Sequence, residues 1–200
     1  MKKNNYLKSG RRTIRIESKG LEKLAKTLSA DFNIVCDKLF KTKGKIITLG
    51  IGKSGHIAKK VSATLSSTGS ASSFINAGEA LHGDIGGINK NDAVIIFSHS
   101  GETEEIIDLI PFLKSLGCEF FSITGSRDSF IAQNSIINLD TGISEEACPL
   151  DLAPTTSTTA SLALGDAIAV ALLEAKNFKS DDFAKSHPGG KLGKRLITTV

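Results

Sequence analysis

Residues 98–103 of the chain read SHSGET, directly after the apolar run AVIIF (93–97). Ser98, Ser100 and Thr103 bring three hydroxyls, and Gly101 leaves the backbone bare between them. A helix start needs one capping side chain. Three hydroxyls where a strand becomes a helix exceed that need and suit an oxyanion, held by hydroxyls, free N–H groups and the positive end of a helix dipole. A second turn of this kind, GIGKSG (50–55), follows the apolar run KIITLGI (45–51) and adds Lys53 and Ser54. Together the two turns predict a phosphate cradle of Ser54, Ser98, His99, Ser100, Gly101 and Thr103, with Lys53 beside it.

Two nucleotide readings of the first turn are weaker. Gly50, Gly52 and Gly55 satisfy G-x-G-x-x-G, but the tip of the next strand, FINAGE, offers Asn76 where a ribose-binding acid belongs, and Glu79 comes late. Lys53 inside the fingerprint suits a terminal phosphate better than a pyrophosphate passing over bare glycines. GKS (52–54) ends like a P-loop, yet the leading glycine of that motif falls on Ile47, inside the strand.

Acid–base candidates are few. The imidazoles are His56, His82, His99 and His187. His82 stands in GEALHGDIG, flanked by Glu79 and Asp84 and bounded by glycines, with no packing role in view. His187 stands in SHPGG, where Pro188 fixes a turn. His56, on the helix after the first turn, reads as structural. No H-x-x-x-H or cysteine pair supports a metal site, so no required metal is expected.

These groups have to be positioned by a regular frame. KIITLGI (45–51), SSFIN (72–76), AVIIF (93–97), EFFSIT (119–124) and SIINL (135–139) read as short buried strands. Helical patterns lie between them, as in 54–67 and 102–116, the latter with Pro111 as a kink. Strands this apolar, alternating with helices, predict an α/β three-layer sandwich with a parallel sheet covered on both faces. With strand order 2-1-3-4-5, both hydroxyl-rich turns meet at the topological switch point. Residues 13–40 are helix-like, either covering the sheet or pairing with another subunit, and 1–12 read as a basic, solvated tail ahead of a single domain over 13–200. Pro154 and a threonine cluster precede a last long helix, whose apolar stretch 160–175 falls short of the ~20 residues that span a bilayer.

Composition narrows the partners. In 200 residues, 40% hydrophobic and 23% charged, the net charge is +4, and the first twelve residues carry five Lys or Arg and no acid. Aromatic stacking partners are scarce, so no nucleic-acid partner is expected. Cys36, Cys118 and Cys148 are odd in number and widely spaced, which fits a reducing cytoplasm. No apolar segment follows the basic start, so neither secretion nor a membrane partner is expected.

The stretches GIGKSGHIAKK, FINAGEALHGDIGG, FSHSGETEEI, EEACPLDLAPTTSTTASLALGDAIAVAL and FAKSHPGGKLGKRL resemble the sugar isomerase (SIS) domain of bacterial D-arabinose 5-phosphate isomerases, from about residue 12 onward. The resemblance implies a five-stranded flavodoxin-like sheet in which S-x-S-G-E-T binds a sugar phosphate. It implies interconversion of D-ribulose 5-phosphate and D-arabinose 5-phosphate through an enediol, without a cofactor, for the Kdo sugar of lipopolysaccharide or capsule. It also implies a homotetramer whose sites are completed by neighbouring subunits. His82, His187, Glu105 and Glu146 then belong to the active site. Glu146 is favoured as the proton-transferring base, because its loop leads into the long helix. His82 and His187 are candidates for ring opening and carbonyl polarisation, and Glu105 for orienting Lys53. The chain departs from the family twice. His99 stands where Asn is commoner, and no pair of CBS modules follows within these 200 residues. Three alternatives stay open: an isomerase of another sugar phosphate, a non-catalytic sugar-phosphate sensor and, more remotely, an NAD-dependent oxidoreductase.

Overall fold

Each of the five apolar runs forms one strand of a single all-parallel sheet, ordered β2-β1-β3-β4-β5. The computed structural model describes residues 5–186. The strands are β1 (Ile46–Gly50), β2 (Ser72–Asn76), β3 (Ala93–Phe97), β4 (Glu119–Thr124) and β5 (Asn138–Asp140). Helices α1 (Tyr6–Thr27) and α2 (Asp31–Lys41) precede the sheet, and α3 (Gly52–Ser67) joins β1 to β2. The single turn α4 (Ala77–Ala80) and a 3-10 turn (Asp84–Gly87) lead to β3. Then come α5 (Glu104–Ile107), α6 (Ile110–Leu116), α7 (Phe130–Asn134), α8 (Thr156–Ala175) and α9 (Ser180–Ser186).

Side chains alternate across a strand, and here the alternation feeds two cores. Ile46, Ile95, Phe97, Phe121 and Ile123 face a layer built on Val61 and Leu65 of α3, Val35 and Leu39 of α2, and Leu164 and Ile168 of α8. Ile47, Leu49, Val94, Ile96 and Phe120 face the other layer, with Ile106, Leu109, Leu113 and Ile131. Being apolar on both faces is what the continuous Ile/Val/Phe runs encode. The one buried polar side chain of β1, Thr48, donates to the Ala58 carbonyl at 2.9 Å, so burial leaves it satisfied.

Four boundaries differ from the sequence expectation. The N-terminal helix begins at Tyr6, not 13, because the Asn5 side chain accepts the Lys8 N–H and caps it; residues 6–12 are exposed but helical. The 102–116 helix is two helices, interrupted at Asp108–Leu109. Pro111 has no N–H for an interior turn and instead occupies the first turn of α6. β5 begins at Asn138 because Ser135 closes α7, its N–H and hydroxyl both donating to the Ile131 carbonyl. Lastly, α8 runs for 20 residues and is long and apolar enough to cross a bilayer by length and composition. It packs instead on α1, α2 and α3, burying Ala160, Leu164, Ile168 and Leu172 along one line.

Candidate functional site

The strand order places the carboxyl ends of β1 and β3 side by side, with Leu49 in register with Ile96. Glycine sets how closely their turns approach. A Cβ on Gly50 would stand 3.2 Å from the Phe97 carbonyl oxygen and 3.2 Å from the Gly55 backbone, and one on Gly55 would stand 3.0 Å from the Gly50 oxygen. Gly52 opens α3 at φ +58°, and Ile51 offers no capping side chain to the first-turn N–H groups. Those donors, with exposed Lys53 and half-buried Ser54, form an anion-seeking helix start.

The turn after β3 is braced from inside. Ser98, only 3% exposed, hydrogen-bonds Thr103 Oγ1 at 2.8 Å, and its Oγ accepts the Gly101 N–H at 3.1 Å. Ser100 is exposed and accepts the Glu102 N–H at 3.2 Å. Gly101 has φ +67°, and a Cβ there would run into the Ser129 hydroxyl, so only glycine fits. Glu102 anchors the turn by accepting the Phe130 N–H at 2.7 Å. The helix that follows, α5, is one turn long. Its dipole is correspondingly small, and the 16-residue α3 supplies the stronger one.

Glu146 occupies a different kind of place. Its carboxylate accepts the Thr155 N–H at 2.7 Å, the Thr155 hydroxyl at 3.0 Å, the Ser157 N–H at 3.2 Å and the Ser157 hydroxyl in a very short contact. Glu146 thus caps α8, and the threonine cluster expected to cap that helix donates to the carboxylate instead. Partial burial pushes its pKa up, but hydrogen bonds from the Ser157 hydroxyl, the two N–H groups and the Thr155 hydroxyl outweigh it, so the carboxyl lies below the ordinary carboxylate value. Its neighbour Glu145 is exposed.

Residues not singled out from sequence hold this loop. Asp151 accepts the Glu146 N–H at 2.8 Å, the Thr155 hydroxyl oxygen accepts the Ala147 N–H at 2.9 Å, and Arg12 of α1 donates to the Ala147 carbonyl at 3.2 Å. The only sequence signal for them was the density of Asp, Thr and Ser around Pro154. Backbone N–H groups of Ala153, Leu150 and Leu152 surround the Cys148 sulfur and hold its pKa below the usual thiol value. A cavity of about 260 Å³ opens here, lined by His99, Glu145, Glu146, Asp151 and Pro154 among others.

The other expected residues are not tied to one another by hydrogen bonds or ion pairs among the described residues. His82 is exposed after α4, Glu105 is exposed on α5, and among the described residues neither these two nor Lys53 makes a side-chain hydrogen bond or ion pair with another. His56 is exposed on α3. His187 lies outside the described residues. Asn76 at the tip of β2 accepts the Gly78 N–H at 2.9 Å and caps α4, so that tip holds no acid for a ribose.

A doubly wound parallel sheet with polar, glycine-tightened turns at its switch point defines a ligand-binding α/β protein of the flavodoxin-like order. The SIS domain profile matches residues 38–171, and the chain belongs to that family. Over 196 residues it is 48% identical to the arabinose 5-phosphate isomerase KdsD of Pseudomonas aeruginosa. It is 46% identical to the enzyme of that name from Escherichia coli K12. Each alignment takes in 98% of this chain and 60% of the relative, so the chain spans about three fifths of the curated relatives it matches. Among solved structures, the E. coli CFT073 protein c3406 in complex with arabinose 5-phosphate superposes with a TM-score of 0.90 at 38% identity, covering 93% of this chain and all of that one.

Proposed function

We propose that the chain interconverts D-ribulose 5-phosphate and D-arabinose 5-phosphate through an enediol. The observation that carries this reading is the meeting of two hydroxyl-rich turns on neighbouring strands β1 and β3, in a chain so similar to arabinose 5-phosphate isomerases. The phosphate binds the first turn of α3, Lys53, Ser54 and the turn of Ser98, Ser100, Gly101 and Thr103. Glu146 carries the proton between C1 and C2, entering the reaction ionised. His82 and His187 serve ring opening and carbonyl polarisation, Glu105 orients Lys53, and no cofactor takes part.

The catalytic set is completed by neighbouring subunits of a homotetramer. Two features support assembly: Lys53, His82 and Glu105 stand exposed and unpaired with one another, and α1 exposes Tyr6, Leu7 and Ile14 on a helix that also lines an apolar groove of Leu21, Ala25, Ala163 and Ala167. The relatives' name supports a place in making the Kdo sugar, and the odd, widely spaced cysteines support a cytoplasmic setting. Incubation with ribulose 5-phosphate in deuterated water, followed by NMR, tests the reaction. An arabinose 5-phosphate product labelled at C2 is expected; unlabelled, unconverted substrate overturns the reading.

A further inference from the structure

His99 sits between the two serines of the phosphate turn, and its sequence position assigns it to the phosphate. Its ring also borders a second space. His99 lines the cavity of about 260 Å³ that Glu145, Glu146 and Asp151 also line. The ring rests on Gly125, where a Cβ would overlap its Cε1 and stand 2.6 Å from its Nδ1. The backbone fixes that seat, since the Gly125 N–H donates to the His99 carbonyl at 2.8 Å. Nδ1 is buried and has no hydrogen-bond partner among the described residues, so Nε2 is the nitrogen through which the ring can act.

A histidine kept for packing is ordinarily tied down by a hydrogen bond from Nδ1 to a carbonyl or carboxylate. This ring has none, and it shares its cavity with three acidic residues, Glu145, Glu146 and Asp151. Such a cavity repels a phosphate dianion. It suits instead a chain of hydroxyls, which donate to carboxylates and exchange hydrogen bonds with an imidazole. We propose that His99 binds a hydroxyl of the sugar chain through Nε2 and so helps to select the substrate, while the phosphate stays on the α3 side of the turn. The proposal rests on the sugar-phosphate reading given above and refines its geometry. It separates the two halves of the substrate along one side chain: the backbone of residue 99 belongs to the phosphate turn, and its ring to the sugar.

The test compares affinities for arabinose 5-phosphate and for inorganic phosphate by calorimetry in wild type, His99→Ala, His99→Asn and Gly125→Ala. In wild type the sugar phosphate binds more tightly than phosphate. His99→Ala should weaken arabinose 5-phosphate by about tenfold, the scale of one lost hydrogen bond, and leave phosphate unchanged. His99→Asn, which keeps a donor and an acceptor, should recover part of the difference. Gly125→Ala should reproduce the loss with the imidazole still present, because its methyl displaces the ring. Ser98→Ala with Ser100→Ala is the control and should weaken both ligands together. If His99→Ala weakens both ligands alike, the ring belongs to the phosphate cradle; if it weakens neither, the ring only fills space. Either result overturns the proposal. A wild type that binds arabinose 5-phosphate no better than phosphate overturns the sugar-phosphate reading as well, and turnover of ribulose 5-phosphate by wild type tells the two failures apart.

Discussion

Read as the base proposed above, Glu146 answers to two demands that pull its pKa in opposite directions. As the cap of α8 it is most useful ionised, with four donors aimed at it. As a base it gains strength only when its pKa rises toward the working pH. Glu146→Gln keeps the size, removes the basicity and weakens the cap, since the amide keeps one accepting oxygen and loses the charge. Turnover should fall by at least ~10²-fold, as for the loss of a general base, while affinity for inorganic phosphate holds. Stability should fall too, by roughly 0.5–2 kcal/mol, the range for a lost N-cap. Glu145→Gln, on the exposed neighbour, should change neither, and a dead Glu145→Gln would move the base by one residue. The lowered pKa also fixes the sign of the pH effect. The fold gains from Glu146 above the ordinary carboxylate range and loses that gain as pH falls through the lower, folded-state value. Thermal melts across the acid range should therefore show a decline in wild type that is shallower in Glu146→Gln.

The cysteines make a second prediction at this scale. Burial, then the nearby Asp37 charge, pushes the Cys36 thiol up to about 11, and Cys118 is raised for the same leading reason. Cys148 alone is lowered, by the N–H groups around its sulfur. Since the thiolate is the reacting form, limiting iodoacetamide near neutral pH should label Cys148 first, ahead of Cys36 and buried Cys118, as read by peptide mass spectrometry. Equal labelling would contradict the ring of N–H donors.

At the scale of elements, two glycines in helices should respond to alanine with opposite signs. Gly10 lies in α1 with nothing within 4 Å of a Cβ, so Gly10→Ala should gain up to about 1 kcal/mol from helix propensity alone. In α8, a Cβ on Gly165 would overlap Val61 Cγ2 and stand 3.0 Å from Cγ1. Val61 is fully buried and β-branched, so it cannot turn aside. The ~1–3 kcal/mol of overpacking exceeds the propensity gain, and Gly165→Ala should melt lower. Denaturant titrations measure both.

The elements also mark what could be read without coordinates. The five runs were legible because burial on both faces demands unbroken apolar residues, and the turns because glycine and serine have few other reasons to follow a strand. The cap of α8 was not legible. Glu146 and Thr155 are nine positions apart, and the local rule that a threonine caps its own helix gave the wrong acceptor. Nor was the seat of the His99 ring, which depends on Gly125 after a different strand. The end of the N-terminal tail was misplaced because one exposed Asn, with no apolar pattern behind it, carries the signal.

For the whole molecule, the proposed assembly has its own test. If neighbouring subunits complete the site, activity per chain should fall on dilution in step with the loss of the tetramer, as followed by mass photometry. A monomer with full activity would put every catalytic group on one chain.

The close approach of the Gly50 backbone to Gly55 and to the Phe97 carbonyl at the end of β3 bears on anyone who would retrain this crevice for a longer sugar. Pockets are usually enlarged by trimming side chains, and at that wall there is none to trim: peptide already meets peptide. On the proposed reading, the phosphate end would therefore work as a fixed datum from which the rest of a substrate is measured. Room for another carbon has to come from the far side, where His99, Leu152 and Pro154 can be exchanged one at a time.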